Sequence, residues 1–274
     1  MYAYHELIYD LIRIDVFQKE MSFFTIGNSV LGQNIFCVKA GNGPKNVLVV
    51  AGHHSLETML SRFLMEYLFR SKKELFEGIT FYAVPLLNPD GADVAAGRIK
   101  QADFSKDQSL WQANYRGVDL NHNYDAGFDL AKEAVEQEGI YGPNYTKYGG
   151  ETPFSEPETK AIKKLCKKIP FELAIALHSQ GEEIYYEYDG MIPLGTEKYL
   201  ENLKKITHYK IATPTGTASH AGMKDWFIKE YGKPAFTIEA GLGKNPLPDT
   251  LFPKIYRDCK KVIDSLLETL KKLP

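Results

Sequence analysis

Two histidines and a glutamate, His53, His54 and Glu57, follow directly on an apolar run, Val47 to Val50, and a glycine turn at Gly52. On a first helical turn, residues three apart point the same way, so His54 and Glu57 can share one cation. His53, four residues from Glu57, meets the same geometric condition. Two later apolar runs also end in residues that can do chemistry: LAIALHSQG presents His178 and AFTIEAG presents Glu239. Ligands of open α/β sheets bind outside the carboxyl ends of the strands, so His54, Glu57, His178 and Glu239 are expected to meet there. Two imidazoles and one carboxylate are the donors of a catalytic zinc that keeps a fourth position for water. A further carboxylate, Glu239, then suits the base that takes the proton from that water. The donor types alone leave zinc and other divalent ions open. Against this stands a plainer reading, that acidic residues favour helix N-termini anyway and polar strand ends are common. The recurrence of suitable residue types at three strand ends favours the site.

The elements that must hold these residues follow from hydrophobic period and turn chemistry. A helix is expected over 2–17, a hairpin from strands 21–26 and 35–39, and strands at 47–50 and 79–85 flanking a helix at 58–70. LLNPDGAD is a turn cluster. Residues 92–155, rich in Gly, Asn, Asp, Tyr and Pro, read as functional loops anchored by Trp111, Tyr115, Tyr124 and Phe128. Ser155 is expected to cap a helix reaching 168, with Pro157 in its first turn and Glu158 three residues on. Strands follow at 171–177, 183–188 and 235–238, with helices at 196–209, 225–231 and 253–272. This is an α/β chain with a largely parallel sheet and helices on both faces. One domain, 1–274, is expected, with the helix and hairpin of 1–40 packed on it.

Composition narrows the function. Lys and Arg total 33 against 35 Asp and Glu, a net charge of −2 with pI near 6.4, which argues against nucleic acid as a partner. No dense basic block marks a membrane-surface patch, and no segment has a membrane-spanning length. Glu6, Asp10 and Asp15 interrupt the N-terminal apolar residues, so no signal peptide is read there and a cytoplasmic location is expected. Cys37, Cys166 and Cys259, odd in number and far apart, read as reduced thiols. Without a CxxC pair, a metal site has to be built from His and carboxylate.

HSLE at 54–57, NPDG at 88–91, RGVDLNHNY at 116–124, HSQG at 178–181 and TIEAG at 237–241 resemble, in this order, the M14 zinc carboxypeptidase family. The resemblance implies a mixed, about eight-stranded sheet. It also implies one zinc ion per chain on His54, Glu57 and His178, and Glu239 as general base. The family spacing selects His54 and leaves His53 to packing or support. Departures matter as well. His122 stands where digestive members carry an arginine that, with the preceding asparagine (here Asn121), grips the terminal carboxylate, and an imidazole cannot form that fork. Thr217 stands near the position of a substrate-binding tyrosine. Lys224, before Asp225 and Trp226, falls where the family lines the pocket for the leaving residue; it reads as a solvated helix lysine or as a cation for an acidic substrate group. Arg116, and after it Arg98, are the candidates to polarise the scissile carbonyl.

WQANYRGVDLNHNYDAGF and AGMKDWFIKEYGKPAFTIEAGLGKNPLP look most like the bacterial γ-D-glutamyl-meso-diaminopimelate peptidases of that family, although Gln112 replaces a lysine common in that branch. The resemblance implies a peptide or muropeptide substrate, and the absence of cell-wall-binding repeats a recycling or sporulation role. The expected activity is hydrolysis of the γ-D-Glu–diaminopimelate bond by zinc-activated water. The rival readings are an ordinary metallocarboxypeptidase, a zinc deacylase for N-acyl amino acids and an inactive peptide-binding protein.

Overall fold

Apolar strands alternate with amphipathic helices along the chain, and the computed structural model, which describes residues 1–101 and 107–273 without the side chains of 217 and 218, assembles the strands into a sheet. In chain order come α1 (Tyr4–Phe17), β1 (Met21–Asn28), β2 (Asn34–Gly41), β3 (Lys45–Ala51), α2 (Thr58–Arg70) and β4 (Ile79–Val84). They are followed by α3 (Pro89–Ala95), α4 (Phe128–Gln137), α5 (Pro157–Lys168), β5 (Phe171–His178) and β6 (Glu183–Tyr185). The chain closes with α6 (Thr196–Ile206), β7 (Lys210–Ala212), α7 (Met223–Tyr231), β8 (Ala235–Glu239) and α8 (Phe252–Lys272). The eight strands lie in the order β1-β2-β4-β3-β5-β8-β6-β7. Neighbours β4/β3, β3/β5, β5/β8 and β6/β7 run parallel, and β1/β2, β2/β4 and β6/β8 antiparallel. The expected mixed, mainly parallel sheet is therefore present.

Strands buried on both faces carry continuous apolar sequence, with alternate residues feeding two cores. Val47, Val49, Leu173, Ile175 and Phe236 face one core, closed by α1, α2, α6 and α8. Leu48, Val50, Ala174 and Ala176 face the other, closed by Ile162 and Leu165 of α5 and by Trp226 and Phe227 of α7.

The structure departs from the expectation where the LLNPDGAD turn cluster opens into α3 and where the long loop region holds α4. Asn88 caps α3, its side chain accepting from Gly91 N at 3.0 Å, and Pro89 takes the first helical position. The apolar face of α4 is Phe128, Ala131 and Val135, a helical spacing that the polar surroundings obscured. Ser155 does not cap α5; Glu156 holds that position. The Ser155 hydroxyl is already committed, accepting from Asn123 Nδ2 and donating to Glu156 Oε1, both at 2.9 Å.

Glu158, expected to close that capping box, is instead fully buried. It accepts from Val30 N and from Asn114 Nδ2, each at 3.2 Å, with buried Asp90 and Glu156 nearby. Burial, reinforced by those two carboxylates, pushes its pKa from 4.5 up to about 7. A carboxyl that holds its proton longer when folded lowers stability as pH rises from the unfolded to the folded pKa. The expected cost is ~1.4 kcal/mol per pH unit, about 3 kcal/mol across the window from pH 4.5 to 7. Urea unfolding of metal-free protein at several pH values checks this. Glu158→Gln is expected to flatten the slope, and equal slopes in both proteins would refute the assignment.

Candidate active site

Backbone geometry delivers the first pair of residues. Gly52 turns the chain at the end of β3 with φ +69°, and a Cβ there would meet Leu86 Cδ1 and Ser61 Oγ at 2.8 Å, so only glycine fits. The 3₁₀ turn Ser55–Glu57 then leads into α2. Asn88 of the NPDG motif holds this turn by donating to His53 O at 3.1 Å and to Ala113 O at 2.9 Å. Ser55 N adds a bond to Gln112 O at 3.2 Å, and Gln112 Oε1 accepts from Thr146 Oγ1 at 2.6 Å. On the neighbouring strands, register places His178 of β5 directly beside Glu239 of β8.

These elements bring His54, Glu57 and His178 together, with one donor atom from each inside a mutual distance of 4.8 Å. His54 Nδ1 lies 3.0 Å from Glu57 Oε1 and His178 Nδ1 2.9 Å from Glu57 Oε2. Tetrahedral zinc with bonds of about 2.0–2.2 Å sets its ligand atoms roughly 3.4 Å apart, so these donors fit zinc in both type and spacing. The opposite nitrogen of His54, Nε2, lies 3.0 Å from Asp119 Oδ1. A carboxylate on the far side of a ligating imidazole fixes its tautomer and raises its basicity.

Charge agrees with this arrangement. Burial works to raise the Glu57 pKa, yet His54 and His178 outweigh it and bring it down to about 2. Asp119 is likewise held well below the usual range, because His54 and His122 outweigh its burial. His54, whose burial is outweighed by Glu57 and Asp119, is raised well above the ordinary histidine value. Glu239 moves the other way: enclosure of its carboxyl group, and then the nearby Glu57 charge, raise it well above the ordinary carboxylate value. A cation at the three donors would counter that rise.

His53 points away from Glu57 toward Tyr124, with Nε2 3.0 Å from the hydroxyl, and its ring stacks on His178 at 5.2 Å. It is fully buried, and burial holds its pKa well below the ordinary value. A neutral packing imidazole explains these contacts.

Of the residues expected at the substrate, His122 and Asn121 adjoin the cluster through Asp119. His122 Nδ1 lies 3.3 Å from Asp119 Oδ2, so one carboxylate joins two imidazoles. Asn121 Oδ1 accepts from Met223 N at 3.1 Å, tying the motif to the start of α7. Lys224 is 4% exposed, which rules out the solvated-lysine reading. Its ammonium donates to Glu187 O and to Asp225 Oδ1. The side chain of Thr217 lies outside the described residues.

The two candidate arginines are not brought to the cluster. Arg98 pairs with Glu6 of α1 at 2.5 Å and faces Asp93 at 3.7 Å. Arg116, 56% exposed, turns to Glu156 at 3.6 Å, drawn by the buried carboxylates around Asn114. Among the described residues, no arginine contacts His54, Glu57, His178 or Glu239.

The sequence alone does not single out Asp119 as the partner of His54 or Asn245 as a partner of Glu57, at 3.3 Å. The VDLN motif was a signal for the first; nothing in sequence marked the second. Glu182, His208 and Asp258 form another candidate donor group. There the ammonium of Lys254 lies 3.2 Å from Asp258 Oδ2, 3.4 Å from His208 Nε2 and against Glu182. That group already has its cation. No helix among the described residues is long and apolar enough to cross a membrane.

Comparison with known proteins agrees with this geometry. The chain is 30% identical over 283 residues to gamma-D-glutamyl-L-diamino acid endopeptidase 1 of Lysinibacillus sphaericus, covering 94% of this chain and 70% of the relative. Its fold is similar to bovine thrombin-activatable fibrinolysis inhibitor in complex with tick carboxypeptidase inhibitor, with TM-score 0.79, 19% identity and 99% and 98% of the two chains covered. It is also similar to the murein-tripeptide amidase MpaA of Escherichia coli O157, with TM-score 0.61, 19% identity and 92% and 93% covered. The zinc carboxypeptidase model, Peptidase_M14, matches residues 15–262, and the chain therefore belongs to that family of zinc peptidases.

Proposed function

We propose that this zinc peptidase hydrolyses the γ-D-Glu–diaminopimelate amide of peptidoglycan stem peptides, with one zinc ion held by His54, Glu57 and His178. The observation that carries the catalytic part is the convergence of those three side chains beside Glu239. When bound, zinc lowers the pKa of a water molecule and polarises the scissile carbonyl. Glu239 takes the proton from the attacking water and returns it to the leaving amine. Asp119 holds His54 in the tautomer that leaves Nδ1 free for the metal.

The substrate part rests on the relative from Lysinibacillus sphaericus and on the cations present. A free terminal carboxylate is best held by an arginine fork, and the arginine position of the motif is His122. Lys224 has three ammonium protons, two of them engaged by Glu187 and Asp225. We assign the third to an acidic group of the substrate, and Asn121 and His122 to its other polar groups. Arg116 and Arg98, committed to acidic partners elsewhere, are not carried into this reading.

The test is product analysis by mass spectrometry with the zinc-loaded protein on L-Ala-γ-D-Glu-meso-diaminopimelate, beside an all-L control peptide. Release of free diaminopimelate from the first alone is the expected outcome. Trimming of the control alone would replace this reading with an ordinary carboxypeptidase.

A further inference from the structure

The loop that follows Glu239 returns across the end of β5. Gly181 N donates to Gly241 O and Ala240 N to His178 O, both at 2.8 Å, so two strand ends are laced together behind the donor group. Gly241 allows the return: it turns with φ +75°, and a Cβ there would meet Ile255 Cδ1 and Leu247 Cδ1 at 2.9 Å. Leu242, Gly243 and Lys244 are exposed, and then Asn245 dips back, partly buried. Its amide nitrogen donates to Ser179 O at 2.7 Å and to Glu57 Oε1 at 3.3 Å. Its amide oxygen accepts from Ser179 Oγ at 2.9 Å. Among the described residues, the other side-chain partners of Glu57 are the two histidines.

We propose that Asn245 is a positioning residue for the metal centre, its amide holding Glu57 and, through Ser179, the backbone that carries His178. The inference rests on His54, Glu57 and His178 being the metal donors. With the two imidazole nitrogens given to a metal ion, the Asn245 amide would remain as a hydrogen-bond donor to this carboxylate. One side chain thus ties two of the three donors, which come from β5 and from the turn before α2, to each other. Removing such an outer partner costs about 10–100-fold in metal affinity. An asparagine that only anchors its loop would move thermal stability and leave zinc affinity alone.

The experiment is zinc titration of metal-free protein against a competing chelator dye, with thermal unfolding of the metal-free proteins in parallel. Asn245→Ala is expected to weaken zinc by about 10–100-fold. Ser179→Ala, which removes the hydroxyl bond and keeps both amide donations, is expected to weaken it by less than about threefold. If Asn245→Ala does not stay folded, Asn245→Ser, which also lacks the amide donor, decides by the same titration. Zinc affinity within about threefold of the natural protein in the alanine or serine variant would overturn the inference. Failure of the natural protein itself to bind zinc would overturn the metal-centre reading, a result distinct from the first.

Discussion

Glu239→Gln is expected to lower amide hydrolysis by about 10²–10⁴-fold, the range removed with a positioned general base, while zinc stays bound at one ion per chain. The substitution keeps the shape of the side chain and removes its capacity to take a proton. Glu239 stands beside His178 in the β5/β8 register and is not one of the three grouped donors, so the metal should not notice the change. The loss should fall on kcat rather than KM, because the proton moves only during reaction. Zinc content and kcat, measured on the same preparation, check both halves. Lost zinc would make Glu239 a ligand or its support, and unchanged kcat would remove it from the chemistry. An inactive binding protein has no use for this carboxylate, so the same variant separates an enzyme from a peptide binder.

Much of this arrangement was legible because strand and site share one signal. VLVVAGHHSLE, LAIALHSQG and AFTIEAG each carry an apolar run that makes a central strand and a polar residue that the strand end presents. Parallel pairing of β3, β5 and β8 then brings the three ends together. The failures have a different physical origin. Nothing local told Arg116 to turn to Glu156; that follows from three carboxylates buried together by segments distant in sequence. Lys224 reads equally well as a surface residue, since its burial depends on the backbone of Glu187, in the loop after β6. The α4 helix was hidden because three apolar positions, Phe128, Ala131 and Val135, sit in a segment whose composition is that of loops. Asn245 lies 188 residues from Glu57 in sequence, and only the folded return of the chain makes them neighbours.

Glu57→Gln should abolish stoichiometric zinc and, with it, activity. The carboxylate joins both histidines, at 3.0 and 2.9 Å, and is the one anionic member of the set. Its pKa near 2 means that it stays charged throughout the physiological range. Gln keeps the size but offers a neutral oxygen and an amide whose protons face the imidazoles. Outer-shell substitutions alone cost about 10–100-fold in metal affinity, so loss of a ligand is expected to exceed roughly 100-fold. Thermal unfolding with added zinc gives a readout that does not depend on knowing the substrate. At a zinc concentration 100 times Kd, binding stabilises the natural protein by about 2.7 kcal/mol. For a chain near this size that corresponds to a rise in Tm of about 5–10 °C. The Glu57→Gln protein should show almost none of this rise at the same concentration, while its metal-free Tm shows whether the fold itself was damaged. An equal zinc-induced rise in both proteins would place the metal elsewhere and remove the basis of the catalytic assignment.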